Sequence, residues 1–146
     1  MLRTTCCLIG SSLLLLAAGT GRSAEPPGPI EVVRTAYVEG AHRDADASAM
    51  RAGFHPQFVM FVLADGDVRQ VTIDQWADRV AAEGAKPDRK PPLVEAEIEV
   101  IGETADSAVV RVELSRDGEH AFTDFLSLYR TGEGWKIVGK VFQSHR

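Results

Sequence analysis

The block over residues 121–142, AFTDFLSLYRTGEGWKIVGKVF, places one carboxylate where its own pattern asks for apolar side chains. Side chains alternate along a strand, so Phe122, Leu126 and Leu128 share one face, with Asp124 in its middle. Burying an acid is costly unless it is paired or its pKa shifts. The fold must therefore give Asp124 a partner or a pocket. The residue marks where binding or chemistry would sit, without naming a substrate.

The turns set an expected register. Arg116-Asp117-Gly118 reads as a three-residue hairpin loop with Gly in the left-handed position. It pairs Ser115 with Glu119 and puts Asp124 opposite Val110 and Phe122 opposite Val112. A turn at Gly132-Glu133 pairs Arg130 with Trp135. Asp124 then faces Val141, Leu128 faces Ile137, and Gly139 lies opposite Leu126. Thr123, Ser127, Lys136 and Lys140 fall on the other face, with Phe125, Tyr129 and Phe142 among them. That mixed outer face suits a partly covered sheet or a homodimer surface. A slip of one residue at either turn would exchange the faces.

A chain of 146 residues has room for one domain with one core. Arg3, an apolar run through Leu8-Ile9 and residues 13–18, and Ser23-Ala24-Glu25 read as a secretory signal peptide over residues 1–24. The run is too short for a membrane span. Residues 25–29 (EPPGP) form a stiff, loose leader, and residues 30–146 a single domain. Cys6 and Cys7 leave with the signal, so the mature chain has no disulfide, thiol nucleophile or thiolate metal site. Losing Arg3 and Arg22 takes 16 basic residues to 14 against 21 acidic ones, and the formal charge from -5 to -7. An acidic exported domain without a Lys/Arg cluster is a poor nucleic-acid binder. The expected location is periplasmic or secreted.

Pro29 suits the first turn of a helix running to about Arg43, with Gly40 permitting close packing. Asp46 can cap a second, short helix ending near Gly53. Residues 55–63 read as a strand, 64–67 as an Asp-Gly turn, and 68–71 as a return strand. Thr72 or Asp74 can cap a third helix through Trp76 and Val80. A breaker-rich loop over residues 84–92 leads into four further strands. Helices first and antiparallel strands last is an α+β order, with the helices on the concave face of one curved, mainly antiparallel sheet.

With these residues in place, the chain resembles the nuclear transport factor 2-like superfamily, a cone-shaped α+β fold shared by ketosteroid isomerases and SnoaL-like cyclases. Within it, the chain is most similar to the exported bacterial branch called putative lumazine-binding. The resemblance rests on Tyr37-x-x-Gly40, Asp46, Phe54-His55-Pro56, Trp76, and the ending from Phe122-Thr-Asp-Phe-Leu through Gly134-Trp-Lys-Ile-Val-x-Lys-Val-Phe142. It covers about residues 29–142. Beside a ketosteroid isomerase, Tyr37 matches the tyrosine of the first helix and Asp124 the acid of the oxyanion hole. The aspartate base of that family would fall near Val62, eight residues after Phe54, where Phe61, Val62 and Leu63 are all apolar. A pocket that polarises a carbonyl but has no base beside it is a binder first.

The leading expectation is an exported small-molecule-binding domain, its pocket between helices and sheet lined by Tyr37, Phe54, His55, Phe58, Trp76, Phe122 and Asp124. Asp124 and Tyr37 would fix the polar end of an apolar or heteroaromatic ligand, without a cofactor. The bland readings are a structural Asp124 satisfied by Arg51, His55 or Tyr37, a core tyrosine at 37, a capping His55, and core anchors at Trp76 and Trp135. An isomerase, dehydratase or cyclase using Asp124, Tyr37 and His55 is the enzyme alternative. A dimeric interaction module whose pocket is filled by its own side chains is the third. A metal site is not expected: His42 and Asp46 supply two donors only, and His120 and His145 lie near loops or the tail.

Overall fold

The computed structural model describes residues 25–145; the expected signal peptide lies outside the described residues. The chain opens with α1 (Pro29–Val32), with Pro29 in its first turn, and continues directly as a π-helix over Val33–Asp44. Ala45, left-handed at φ 54°, ends it, and Asp46 then caps α2 (Ala47–Gly53). The Asp46 carboxylate accepts from the Ser48 and Ala49 backbone N–H groups at 2.8 and 3.0 Å. The two helical segments cross closely because Gly40 and Gly53 lack side chains. A Cβ at Gly40 would stand 3.2 Å from that of Ala49, and one at Gly53 only 2.3 Å from that of Ala36.

Strand β1 (Phe54–Ala64) and β2 (Asp67–Thr72) form a hairpin around Asp65-Gly66, both with positive φ, as a type I′ turn requires. Thr72 caps α3 (Ile73–Gly84) in a reciprocal box with Gln75. Then follow β3 (Val94–Glu103), β4 (Ser107–Arg116), β5 (Glu119–Thr131) and β6 (Gly134–Ser144). The sheet order is β2-β1-β6-β5-β4-β3, antiparallel throughout except where β1 runs parallel to β6. The helices pack on one face: α2 reaches β1 and β6, and α3 covers β1 and β2. The result is an open, mixed, six-stranded α+β cone.

The register differs from expectation in two places, and both matter for the site. The β4–β5 turn is the two-residue Asp117-Gly118, left-handed at both positions, with Arg116 paired to Glu119. A bulge at Ala121 follows, so Leu114 pairs with Phe122 and Val112, not Val110, with Asp124. The shorter turn and the bulge together move the partners by two, an even shift, so Asp124 keeps the inner face. In β6, Arg130 pairs with Trp135 and Leu128 with Ile137 as expected. Val138 is then bulged out, and from there Leu126 pairs with Lys140 and Asp124 with Phe142, not Val141. This odd shift turns Lys140 and Phe142 inward and leaves Val141 exposed.

Candidate functional site

Three polar side chains from three elements meet in the interior. Tyr37 (π-helix) and Asp124 (β5) are 0% exposed, and Lys140 (β6) is 5% exposed. The Tyr37 hydroxyl donates to Asp124 Oδ2 at 2.5 Å, and Lys140 Nζ donates to the Tyr37 hydroxyl oxygen at 2.8 Å. Lys140 Nζ also stands 2.7 Å from Asp124 Oδ1. That contact is an ion pair by distance without hydrogen-bond alignment, which leaves Oδ1 without a hydrogen-bond donor.

Aromatic rings close over the lysine. Its ammonium lies 4.6, 5.3, 5.8 and 4.5 Å from the ring centroids of Tyr37, Trp76, Phe122 and Phe142. Burial pushes the Tyr37 phenol well above its ordinary 10.0, and the charge of Asp124 adds to the rise. Burial also pulls the Lys140 ammonium below its ordinary 10.5, against the opposing charge of Asp124. Together the groups can offer a phenolic donor, a buried amine and a carboxylate within hydrogen-bond reach of one another.

The structure brings six of the seven expected ligand-contacting residues together. Phe54 and Phe58 meet edge-to-face at 4.8 Å, and Trp76 lies 5.5 Å from Phe54, 6.0 Å from Phe58 and 6.0 Å from Tyr37. At the other end Phe122 meets Phe142 edge-to-face at 5.9 Å and His42 at a tilt at 5.8 Å. His55 is engaged locally, its Nδ1 accepting from the Gln57 backbone N–H at the start of β1. Arg51 pairs with Asp78 and Asp74 of α3 at 3.0 and 3.5 Å instead of reaching Asp124. Val62, where the resemblance to the isomerases would put a base, is half-buried beside the core and paired with Arg69 of β2.

Two residues of this region were missed in the sequence. Lys140 is the cation that the lone acid needs, and the available signal was Gly139, since a glycine inside a strand marks a bulge. His42 is buried, its ring 4.6 Å from that of Tyr37 and its Nδ1 against Arg116 Nη2. No group of three or more His, Cys, Asp or Glu able to hold a metal occurs among the described residues.

Tyr37, Phe54, Phe58, Phe122 and Asp124 belong to the packed interior, His55 stands apart from it, and of the seven expected residues only Trp76 lines the open cavity. That cavity, of about 670 Å³, lies on the far side of Trp76 and His42. Ala41, Met60, Trp76 and Val80 supply its apolar wall, and Arg79, Arg116 and the loop over residues 86–92 its rim.

This cone of helices on a mixed sheet, with a polar cluster at its centre, defines a nuclear transport factor 2-like domain. An NTF2-like protein of unknown function from Shewanella baltica superposes with TM-score 0.62 at 25% identity, over 80% of this chain and 90% of that one. One from Silicibacter pomeroyi gives 0.62 at 23%, over 78% and 90%. A putative aromatic ring hydroxylase from Novosphingobium aromaticivorans shares the fold at 0.56 and 19%, over 78% and 85%. None of the curated proteins compared with the chain matches it. The family model described as Putative lumazine-binding matches residues 28–143, and the chain belongs to that family.

Proposed function

We propose that the protein is an exported small-molecule-binding domain that takes a mostly apolar, heteroaromatic ligand. The observation that carries this reading is the cavity of about 670 Å³, a size suited to a small organic molecule, with the Trp76 ring in its wall. The family description supports the heteroaromatic class, and the sequence of residues 1–24 supports export. In this reading Tyr37 and Asp124 form the polar end of the site. They stand one side chain deeper than the cavity, behind His42 and Trp76, and Lys140 touches both. A ligand engages them by parting Trp76 and taking over a hydrogen bond that Lys140 now makes. The protein acts as a homodimer through the outer sheet face, where Val109, Phe125, Tyr129 and Val141 are exposed. The interaction-module alternative gains from an interior filled by Lys140, but it gives no account of the adjoining cavity.

The test is a thermal-shift and native mass-spectrometry screen against flavin and pteridine precursors, quinones and steroids. Wild type, Trp76→Ala and Asp124→Asn are compared. Stabilisation of wild type that is lost in Trp76→Ala supports the cavity, and additional loss in Asp124→Asn supports the polar end. No stabilisation by any compound contradicts both.

One observation favours a second reading. A cofactor-independent isomerase, dehydratase or cyclase had only His55 as a candidate base in the sequence, and Lys140 supplies a buried amine 2.8 Å from the Tyr37 hydroxyl. In that reading Lys140 first passes its proton to Asp124, the acid form of Asp124 and Tyr37 polarise a carbonyl, and the neutral Lys140 amine, instead of His55, takes the substrate proton. Turnover that survives His55→Ala and is abolished by Lys140→Met would support it.

A further inference from the structure

The charge around the cavity runs against that of the chain. Its lining holds five cations, Arg79, Lys86, Arg89, Lys90 and Arg116, and only two carboxylates, Glu83 and Asp88. The whole chain carries a formal charge of -5 with 16 Lys and Arg, so nearly a third of its positive side chains gather at one concavity. Random placement on an acidic protein would give the opposite balance. Like charges drawn together around a concavity focus a positive potential into it.

Leaving Arg116 aside, local pairing does not cancel the excess of Arg79, Lys86, Arg89 and Lys90 over Glu83 and Asp88. Lys86 is matched by Glu83 at 2.5 Å, so that pair is neutral. Arg79 Nε donates to the Gln75 carbonyl at 3.1 Å, and Arg89 Nη2 to the Arg43 carbonyl at 2.5 Å. Both acceptors are uncharged, so the bonds fix the guanidinium groups without neutralising them. Asp44, whose carboxyl is held low chiefly by its hydrogen bond to Arg43, also feels Arg89, but at longer range. Arg116 is anchored against His42 in the same lining. The guanidinium groups are thus tied at the rim, while Ala41, Met60, Trp76 and Val80 present an apolar wall behind them.

We infer that the cavity selects an anionic ligand: a flat apolar or heteroaromatic body that lies against Trp76, carrying a carboxylate or phosphate that meets the arginine and lysine rim. The inference rests on the proposed binding function and adds the charge class of its ligand. Arginine matches both anions through its planar fork of donors, so the geometry favours oxyanions over halide-like charges.

The experiment is isothermal titration of the purified chain with four probes of one ring system: 2-naphthoate, 2-naphthyl phosphate, neutral 2-naphthylmethanol and cationic 2-naphthylmethylammonium. The anions bind about tenfold or more tightly than the alcohol, as a charge-assisted contact implies, and the cation binds most weakly. Their advantage shrinks as salt rises from about 0.05 to 0.5 M. It also shrinks in Arg79→Gln/Arg89→Gln and in Lys90→Ala, but not in Arg69→Gln on the exposed β2 edge. The carboxylate and phosphate arms decide between the two oxyanions. If the alcohol binds as tightly as the anions, or the advantage ignores salt and the rim variants, the charge inference is overturned while the cavity remains a binding site. If none of the probes binds, the binding function fails with it. Circular dichroism of each variant separates lost binding from lost folding.

Discussion

Lys140 Nζ lies 2.7 Å from Asp124 Oδ1, and the contact exists because one residue, Val138, is bulged out of β6. Without the bulge Lys140 would project from the outer face, and the acid would be buried with Tyr37 alone. The bulge therefore links a local backbone irregularity to the electrostatics of the interior. It also turns Phe142 inward, where its ring covers the ammonium.

Breaking this pair from one side leaves a buried charge uncompensated. Lys140→Met or Asp124→Leu alone lowers unfolding free energy by about 3–5 kcal/mol. The double variant costs less than the sum, because neither charge is left behind. Denaturant unfolding of the three variants measures the coupling, and simple additivity would show the charges do not interact.

Alkaline pH tests the burial of the phenol. The folded state keeps the Tyr37 proton that the unfolded chain gives up near 10.0, so its stabilisation is present below that pH. It is lost as pH rises toward the higher folded value, by about 1.4 kcal/mol per pH unit. Lys140 acts with the opposite sign: its folded pKa lies below 10.5, so its contribution rises with pH and is complete at 10.5. Above about pH 10.5, wild type therefore loses stability more steeply than Tyr37→Phe. Equal slopes in urea melts would mean the phenol is not held protonated.

The helix crossing makes a steric prediction. A methyl at position 53 would meet Ala36 Cβ at 2.3 Å, so Gly53→Ala destabilises by about 1–3 kcal/mol. Pairing it with Ala36→Gly restores much of the loss if this contact is the cause, as thermal melts of the double variant would show.

Much of this was legible in the sequence where the cause is local. Asp46 and Thr72 cap helices because their own side chains reach backbone N–H groups two or three residues on. The Asp-Gly turn at residues 65–66 follows from left-handed conformations that glycine and aspartate tolerate, whereas the turn at residues 117–118 is one residue shorter than its sequence suggests. Asp124 kept its face through two register errors that summed to an even shift. Lys140 was hidden because the Val138 bulge inverts parity, and only Gly139 hinted at it. The cavity was less legible still. It depends on where the loop over residues 86–92 folds back against the π-helix and Arg116, a contact between parts far apart in sequence.

The exposed outer face also makes a prediction. Phe125 pairs with Val141 and Arg111 on neighbouring strands, and all three side chains reach solvent. If this is the dimer surface, Phe125→Glu converts a dimer to a monomer in light scattering while leaving the fold intact. A monomeric wild type would remove the proposal.

The proposed binding depends most on the cavity behind Trp76. The direct measurement is the melting temperature of wild type and Trp76→Ala across a panel of pteridine and flavin precursors. At ligand concentrations about a hundredfold above Kd, binding adds about 2.7 kcal/mol to wild type. Wild type is expected to rise by several degrees with at least one compound, and the variant is not. An equal rise in both proteins, or none in either, would contradict that expectation.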